Sequence, residues 1–521
     1  NLGAEPPEMD SILTTSSGSM NVLRHCVEGL VSLDANDEAV PGMAESWDVS
    51  DDQKTYTFHL RKGAKWSNGE EVTAEDFVFA WNQHFNARTG APYASTWMTK
   101  IAGAEDIYTA TAAKVDPDNE KSDYKMAEAD IPAYIEEHAG WKAVDKYTFQ
   151  VTFTGPFQYA VVLMAFPSFF PVNQKAYEAA GGNKKYGTDA DKLAYNGPFT
   201  ITSWVHEDSI VLEKNPDYWN AENIKLDKIT MRMISQENTA INEFNNGSID
   251  MIGLTGDNIA QFENAQGFDD GGAWYLEFNS QEKPYNNAKV RKALTLGVDA
   301  QKMVDTIVQN DSKVATTFTP PAVAQGAFTE YCGDIFQHVT NNDYSEAKAL
   351  LEEGLKEEEL TLAEFSPELL CDDTSAAKQQ AEFLQAQLKE NLGVSVQIKQ
   401  VTYKTRLANM DKGEFEIVFA GWSPDYNDPM TYLDMWVTGN GNNHGKWSNA
   451  EYDKIIEEAS QIADKDAYYA KLKEAEEILA EECPIGFIYD RQTSYVTSDR
   501  LKGVIRTAFQ DINLNYAYIE E

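Results

Sequence analysis

At 521 residues the chain is too long for one ordinary core, and at about 100 to 200 residues per domain it is expected to form two to four lobes. Lys and Arg number 43 against 84 Asp and Glu, and the resulting formal charge of -41 repels phosphate backbones and anionic headgroups, which argues against nucleic acid as a partner. The longest apolar run, Tyr159 to Phe166, is cut by Pro167, well short of the ~20 residues that span a bilayer, so no membrane-spanning helix is expected.

Asn21 to Leu33 carries an apolar run ending at Glu28-Gly29-Leu30, a helix or strand stopped by glycine, with Glu28 read as a solvated or capping carboxylate. Tyr56, Phe58 and Leu60 alternate with Thr55, Thr57 and His59, the period of a half-buried strand with His59 on its polar side. Trp66-Ser67-Asn68-Gly69 reads as a tight turn, and Thr73 with Asp76 three residues on reads as a capping box opening a helix. Ala104 to His138, rich in charge and poor in large aliphatics, reads as a surface excursion of helices and loops. Tyr147 to Phe153 alternates again as a strand.

Turns follow at Tyr195 to Phe199 and Lys214 to Trp219, then a strand over Ile224 to Met233, a helix over Asn238 to Asn245 and a strand over Met251 to Leu254. A further α/β unit holds a strand at Ala273 to Asn279 and a helix at Asn287 to Val298. Helices capped by Ser345 and Ser375 are expected to end near Gly354 and Gly393, and Val394, Val396 and Ile398 mark a strand. Asn449 to Ala463 and Lys465 to Glu482 read as paired amphipathic helices before a strand at Pro484 to Tyr489.

The stretch with chemical content is Glu416 to Trp436. Its apolar first part predicts a strand covered on both faces, ending in a turn that carries Asp425 and Asp428. Asp428 before Pro429 has the form of a helix cap, whereas Asp425 has no such structural job and must find water, a cation or a ligand ammonium. The competing reading makes Asp425 a second turn residue satisfied by backbone N–H groups. Cys26, Cys332, Cys371 and Cys483 show no metal or redox spacing; buried thiols are the simplest reading, with a Cys332 to Cys371 bridge as the alternative in an oxidising compartment. No cofactor or metal is implied. The start, Asn1 to Asp10, reads as a processed or trimmed mature terminus whose export signal has been removed.

Five segments in register carry a resemblance: Met43 to Trp81, Tyr195 to Phe199, Lys214 to Trp219, Glu277 to Leu294, and Gly421 to Asp434. They resemble the peptide-binding proteins of bacterial ABC importers, the oligopeptide and dipeptide binders among the family 5 extracellular solute-binding proteins. The resemblance implies an α/β, two-lobed periplasmic-binding-protein-like fold of class II, cluster C type. Lobe I would hold 1–40, 172–271 and 491–521, an extra subdomain 41–171, and lobe II 272–490, with crossings near Gly271 and Asp490. It further implies that Gly421 to Ser423 on one lobe and Glu28, Gly29 and Leu30 on the other pair with a peptide backbone. In the same way Asp425 would accept the ligand α-ammonium, and Tyr275, Asn279 and Trp422 would line the cleft. Met410 and Phe419 stand where the best-known relative has arginines, and Gly272 and Ser423 where it has a disulfide. Arg406, Lys404, His444 and Arg491 are weaker substitutes as carboxylate partners, each read first as a surface charge.

The implied function is extracytoplasmic capture of peptides, at the cell surface as a lipoprotein or in the periplasm, by a monomer that hands its ligand to a transmembrane permease. An N-terminal lipid anchor would lie upstream of Asn1. The alternative is the same fold binding a nickel chelate, a sugar or another small solute. A hydrolase would need a nucleophile or metal motif, and neither HExxH nor GxSxG is present; the chain is read as not an enzyme.

Overall fold

The computed structural model describes residues 1–520 except 117, 118, 125, 158 and 463. Helix α1 (Ser17–Cys26) opens the chain, its N-cap Ser16 accepting from the Ser19 N–H, and it ends at Cys26, before Gly29 is reached. Strands β1 (Ala44–Val49), β2 (Thr55–Leu60), β3 (Trp141–Asp145) and β4 (Thr148–Thr152) form an antiparallel sheet in the order β1-β2-β4-β3. Tyr56, Phe58 and Leu60 are buried from β2 as the alternation predicts, and His59 points out to meet Asp48. Helix α2 (Ala74–Phe85) starts with the expected capping box, Asp76 accepting the Thr73 N–H at 2.8 Å, and lays Phe77, Ala80 and Trp81 on this sheet.

The charged excursion holds helices Ala104–Thr111 and Ile131–His138, as expected, but between them an antiparallel hairpin of Ala113–Asp116 with Asn119–Tyr124 that its composition hid. Residues 117, 118 and 125 of that stretch lie outside the described residues. Strands β5 (Phe199–Val205), β6 (Ser209–Lys214) and β7 (Lys228–Arg232) make a three-stranded sheet, the last shorter than its apolar run suggested.

The largest sheet gathers β8 (Met251–Leu254), β9 (Gln266–Phe278), β10 (Lys313–Val314), β11 (Glu368–Asp372), β12 (Gln397–Val401), β13 (Ile417–Trp422) and β14 (Ile485–Thr497). Its order is β8-β14-β9-β13-β11-β12, with β10 on β14; β11 runs parallel to β12 and β13 while the other pairs are antiparallel. The strand expected at Ala273 starts seven residues earlier, at Gln266, and the one expected to stop at Tyr489 continues to Thr497. These two pair along most of their length, with the register slipping between Asp269 and Ala273, around Gly271 at φ +69, and again between Trp274 and Tyr275.

Helix α3 (Ala288–Leu296) packs on α4 (Ser345–Glu357), whose cap position is Tyr344 and not the expected Ser345; Asp343 just before it accepts the Ser345 N–H. Gly354 does not end α4. A Cβ there would meet Val290 at 2.7 Å, so the glycine serves close approach of two helices. Helix α5 (Ser375–Leu392) is capped by Thr374, one residue earlier than expected, and closed by Gly393 in the left-handed conformation. Helix α6 (Tyr403–Lys412) precedes β13, and α7 (Ala450–Ala459) pairs with α8 (Lys465–Glu482). Residue 463, the expected end of α7, lies outside the described residues. All four cysteines are free and buried, so Cys332 and Cys371 do not pair. Among the described residues no helix is long and apolar enough to cross a membrane.

Candidate ligand site

Strand β13 pairs with β9 along its length, Tyr275 opposite Ala420 and Ala273 opposite Trp422, but with β11 only at Ile417 and Val418. Beyond Val418, therefore, its other edge has no strand partner among the described residues. An open strand edge offers N–H and C=O groups to an extended ligand without reading its side chains.

The turn after β13 is held from several sides. The Tyr432 hydroxyl donates to the Gly271 carbonyl, and Pro424 lies against Gly271, where a Cβ would come within 2.8 Å of the proline ring. Asp428 accepts the Met430 N–H at 2.9 Å and the Tyr468 hydroxyl at 2.5 Å, which is the capping job expected of it. It starts only a single helical turn, Met430–Leu433.

Asp425 is arranged otherwise. Its own N–H donates to Thr431 Oγ1 at 2.9 Å, and its carboxylate accepts from the Tyr93 hydroxyl at 3.0 Å. Among the described residues no backbone N–H reaches that carboxylate. Burial pushes its pKa well above the usual range and Asp434 adds to this, against the opposing pull of the Tyr93 hydrogen bond and Arg24. A carboxylate so placed is costly when charged and stands to gain from a cation.

Asp425 borders a cavity of about 140 Å³, walled by Tyr93, Phe166, Tyr275 and Trp422 and set between residues of α1, α6 and the C-terminal segment around Phe509. Gly421 and Ser423 border it too; a Cβ at Gly421 would meet the Trp274 ring at 2.8 Å. Tyr275 is buried there against Phe318 and Trp436.

Several implied placements differ. Asn279 is outside the cavity: its amide donates to the carbonyls of Gly413 and Phe415, tying the end of β9 to the loop before β13. Glu28, Gly29 and Leu30 do not share the Asp425 cavity. The backbone of Glu28 exchanges both its hydrogen bonds with the Asn196 side chain, and the Gly29 and Leu30 carbonyls accept from Met43 and Ala44, so most of that edge is already paired. The Glu28 side chain is buried, not solvated, accepting from Tyr218 Oη and Trp219 Nε1 at 2.7 Å each. Glu28 and Gly29 instead border a smaller chamber of about 70 Å³, which has Arg24 as a lining residue in common with the first.

The basic residues are not surface charges, apart from the exposed Lys404. Arg406 is buried with its Nε 2.7 Å from Asp372 Oδ1 and its Nη1 on Met410 Sδ; burial works against its charge, but Asp372 and Tyr403 outweigh it and raise the pKa. Arg491 donates to Asp270 at 2.6 Å and reaches Ser423 Oγ at 3.4 Å. His444 stands between Asp411 at 3.4 Å and Glu277 at 3.7 Å. Burial alone would lower its pKa, and the two carboxylates overcome this and lift it to about 9. Tyr93, Phe166 and Arg24 escaped the sequence reading. Tyr93 is 332 residues from Asp425 and sits in no periodic pattern, while Arg24 reads as the ordinary cation of a helix's last turn.

A mixed α/β chain with an open strand edge and an aromatic-walled cleft carrying a buried carboxylate has the build of a two-lobed solute-binding protein. The chain belongs to the bacterial extracellular solute-binding proteins, family 5, whose middle region matches residues 38–444. It is 32% identical over 98% of its length, and 90% of the relative's, to the dipeptide-binding protein DppE of Bacillus subtilis. The substrate-binding domain of an oligopeptide ABC transporter from Bacillus anthracis superposes with TM-score 0.89 at 33% identity, covering 100% of this chain and 98% of that one. Peptide-bound OppA of Listeria monocytogenes gives 0.88 at 30% identity, covering 99% and 98%. Against the unliganded open form of the murein tripeptide binding protein MppA the score falls to 0.61 at 26% identity, with 99% and 96% covered. The parts of this chain are thus set differently from those of that open form.

Proposed function

We propose that this protein captures peptides outside the cytoplasm, holding the α-ammonium on Asp425 and the first backbone groups along the free edge of β13, and delivers them to an ABC permease. The carrying observation is the Asp425 carboxylate, which among the described residues accepts only from the Tyr93 hydroxyl, at the end of an unpaired strand edge beside an aromatic-walled cavity. Relatives of this sequence are named for dipeptide and oligopeptide binding, which supports the same reading. Capture proceeds by closure of lobe II, 272–490, on lobe I, 1–40, 172–271 and 491–521, with 41–171 as an extra subdomain. The bends lie where β9 and β14 lose register at Asp269 to Ala273, and the positive φ of Gly271 supports a hinge there. Contacts from Tyr93 to Asp425 and from Lys100 to Asp434 join 41–171 to 272–490. The protein acts as a monomeric carrier without catalysis, anchored by lipid at a cell surface or free in a periplasm.

Native mass spectrometry of the protein as purified, followed by release and sequencing of its cargo, tests this. Bound peptides support the reading. A single non-peptide mass would keep the fold and overturn the substrate.

A further inference from the structure

Four cationic side chains border the Asp425 cavity, and three are matched inside the protein: Arg406 by Asp372, Arg491 by Asp270, and His444 by Asp411 and Glu277. Arg24 is not matched. Its guanidinium makes no hydrogen bond or ion pair with any described residue, although it is half-buried in the last turn of α1. Asp425, Asp511 and Asp37 attract it only from beyond ion-pair distance, while burial works against its charge. Two of those carboxylates are engaged elsewhere, Asp511 with Arg506 and Asn21, and Asp37 with Thr507 and Gln510.

An arginine carries five donors in a rigid fork suited to a carboxylate, and leaving it half-stripped of water without an acceptor is costly. Its position adds direction. Arg24 borders both the cavity of Asp425 and the chamber lined by Val27, Ala165, Phe170 and Tyr218. Asp425 and Arg24 border the same cavity, so a ligand ammonium on Asp425 brings its next groups into the space that Arg24 lines.

We propose that Arg24 is a specificity residue that receives a carboxylate of the bound peptide close to its amino end. This rests on the peptide reading above. The carboxylate has two sources: the α-carboxylate of a dipeptide, or the side chain of an acidic residue at the second position of a longer peptide.

Isothermal titration of the full chain with Ala-Ala, Ala-Ala-amide, Ala-Glu-Ala-Ala and Ala-Gln-Ala-Ala separates these sources. The parent protein is expected to prefer the carboxylate-bearing member of one pair by roughly tenfold to a hundredfold, the range for a charge-assisted hydrogen bond. A preference within the first pair identifies the terminal carboxylate and within the second the side chain. Arg24→Gln erases that preference while leaving the neutral member's affinity in place, and Arg24→Lys, which keeps charge without the fork, retains part of it. The inference is overturned if the parent distinguishes neither pair or if Arg24→Gln keeps the preference. It is overturned equally if Arg24→Gln weakens all four peptides alike, because Arg24 would then be only a distant counter-charge for Asp425. Failure of all four to bind the parent would bring down the peptide reading itself, and this inference with it.

Discussion

Replacing Asp425 with Asn separates binding from stability in opposite directions. The amide oxygen can still accept from Tyr93 at the 3.0 Å seen for the carboxylate, and the Asp425 N–H to Thr431 is untouched, so the turn should keep its shape. What changes is charge. In the ligand-free protein the buried carboxylate is already pushed toward its neutral form, so Asn should leave the thermal midpoint unchanged or raise it. In the complex a desolvated ammonium loses its counter-ion and faces an amide N–H. Removing one partner of such a pair costs about 3 to 5 kcal/mol, and even about 3 kcal/mol weakens Kd by roughly 150-fold. Titration calorimetry with a tripeptide and its N-acetylated form, on parent and variant, completes a cycle in which acetylation and Asp425→Asn should not add. Undiminished affinity for the free-amine peptide would refute the assignment. So would a large drop in the ligand-free midpoint, which would mark Asp425 as structural.

Three further outcomes are expected. Peptide affinity should climb with pH through the ligand-free pKa of Asp425 and fall again above about 8, where a peptide α-amine loses its proton; Asp425→Asn should flatten the acidic limb in titrations from pH 4 to 9. The Lys100–Asp434 pair, 2.9 Å apart with each side chain 6% exposed, should cost about 3 to 5 kcal/mol when Lys100→Met strands the carboxylate, and Lys100→Met with Asp434→Leu should recover most of it in thermal unfolding. His444, raised to about 9 from 6.5, contributes stability that is fully present below about 6.5 and lost as pH rises through 9, so His444→Gln should flatten the alkaline fall of the midpoint.

Much of the secondary structure was legible because it is written in local chemistry. The Thr73–Asp76 box, the alternation of Tyr56, Phe58 and Leu60, and the left-handed stop at Gly393 each involve neighbours within a few residues. Misreadings arose where a local signal had a distant cause. Gly354 looked like a helix stop because nothing nearby shows Val290 pressing on it from another helix. Glu28 looked solvated because its donors, Tyr218 and Trp219, lie about 190 residues away.

The candidate site divides in the same way. That Asp428 caps and Asp425 does not follows from spacing within one turn, and the sequence alone determined it. Which side chains surround Asp425 was decided only by tertiary structure. Tyr93 from one part of the chain, Arg24 from the first helix and Arg406 from α6 reach one cavity because the sheets bring them there, and their charges are matched or left unmatched by contacts that no local pattern encodes. Burial sets the electrostatics of these groups, and burial belongs to the folded arrangement rather than to any single segment.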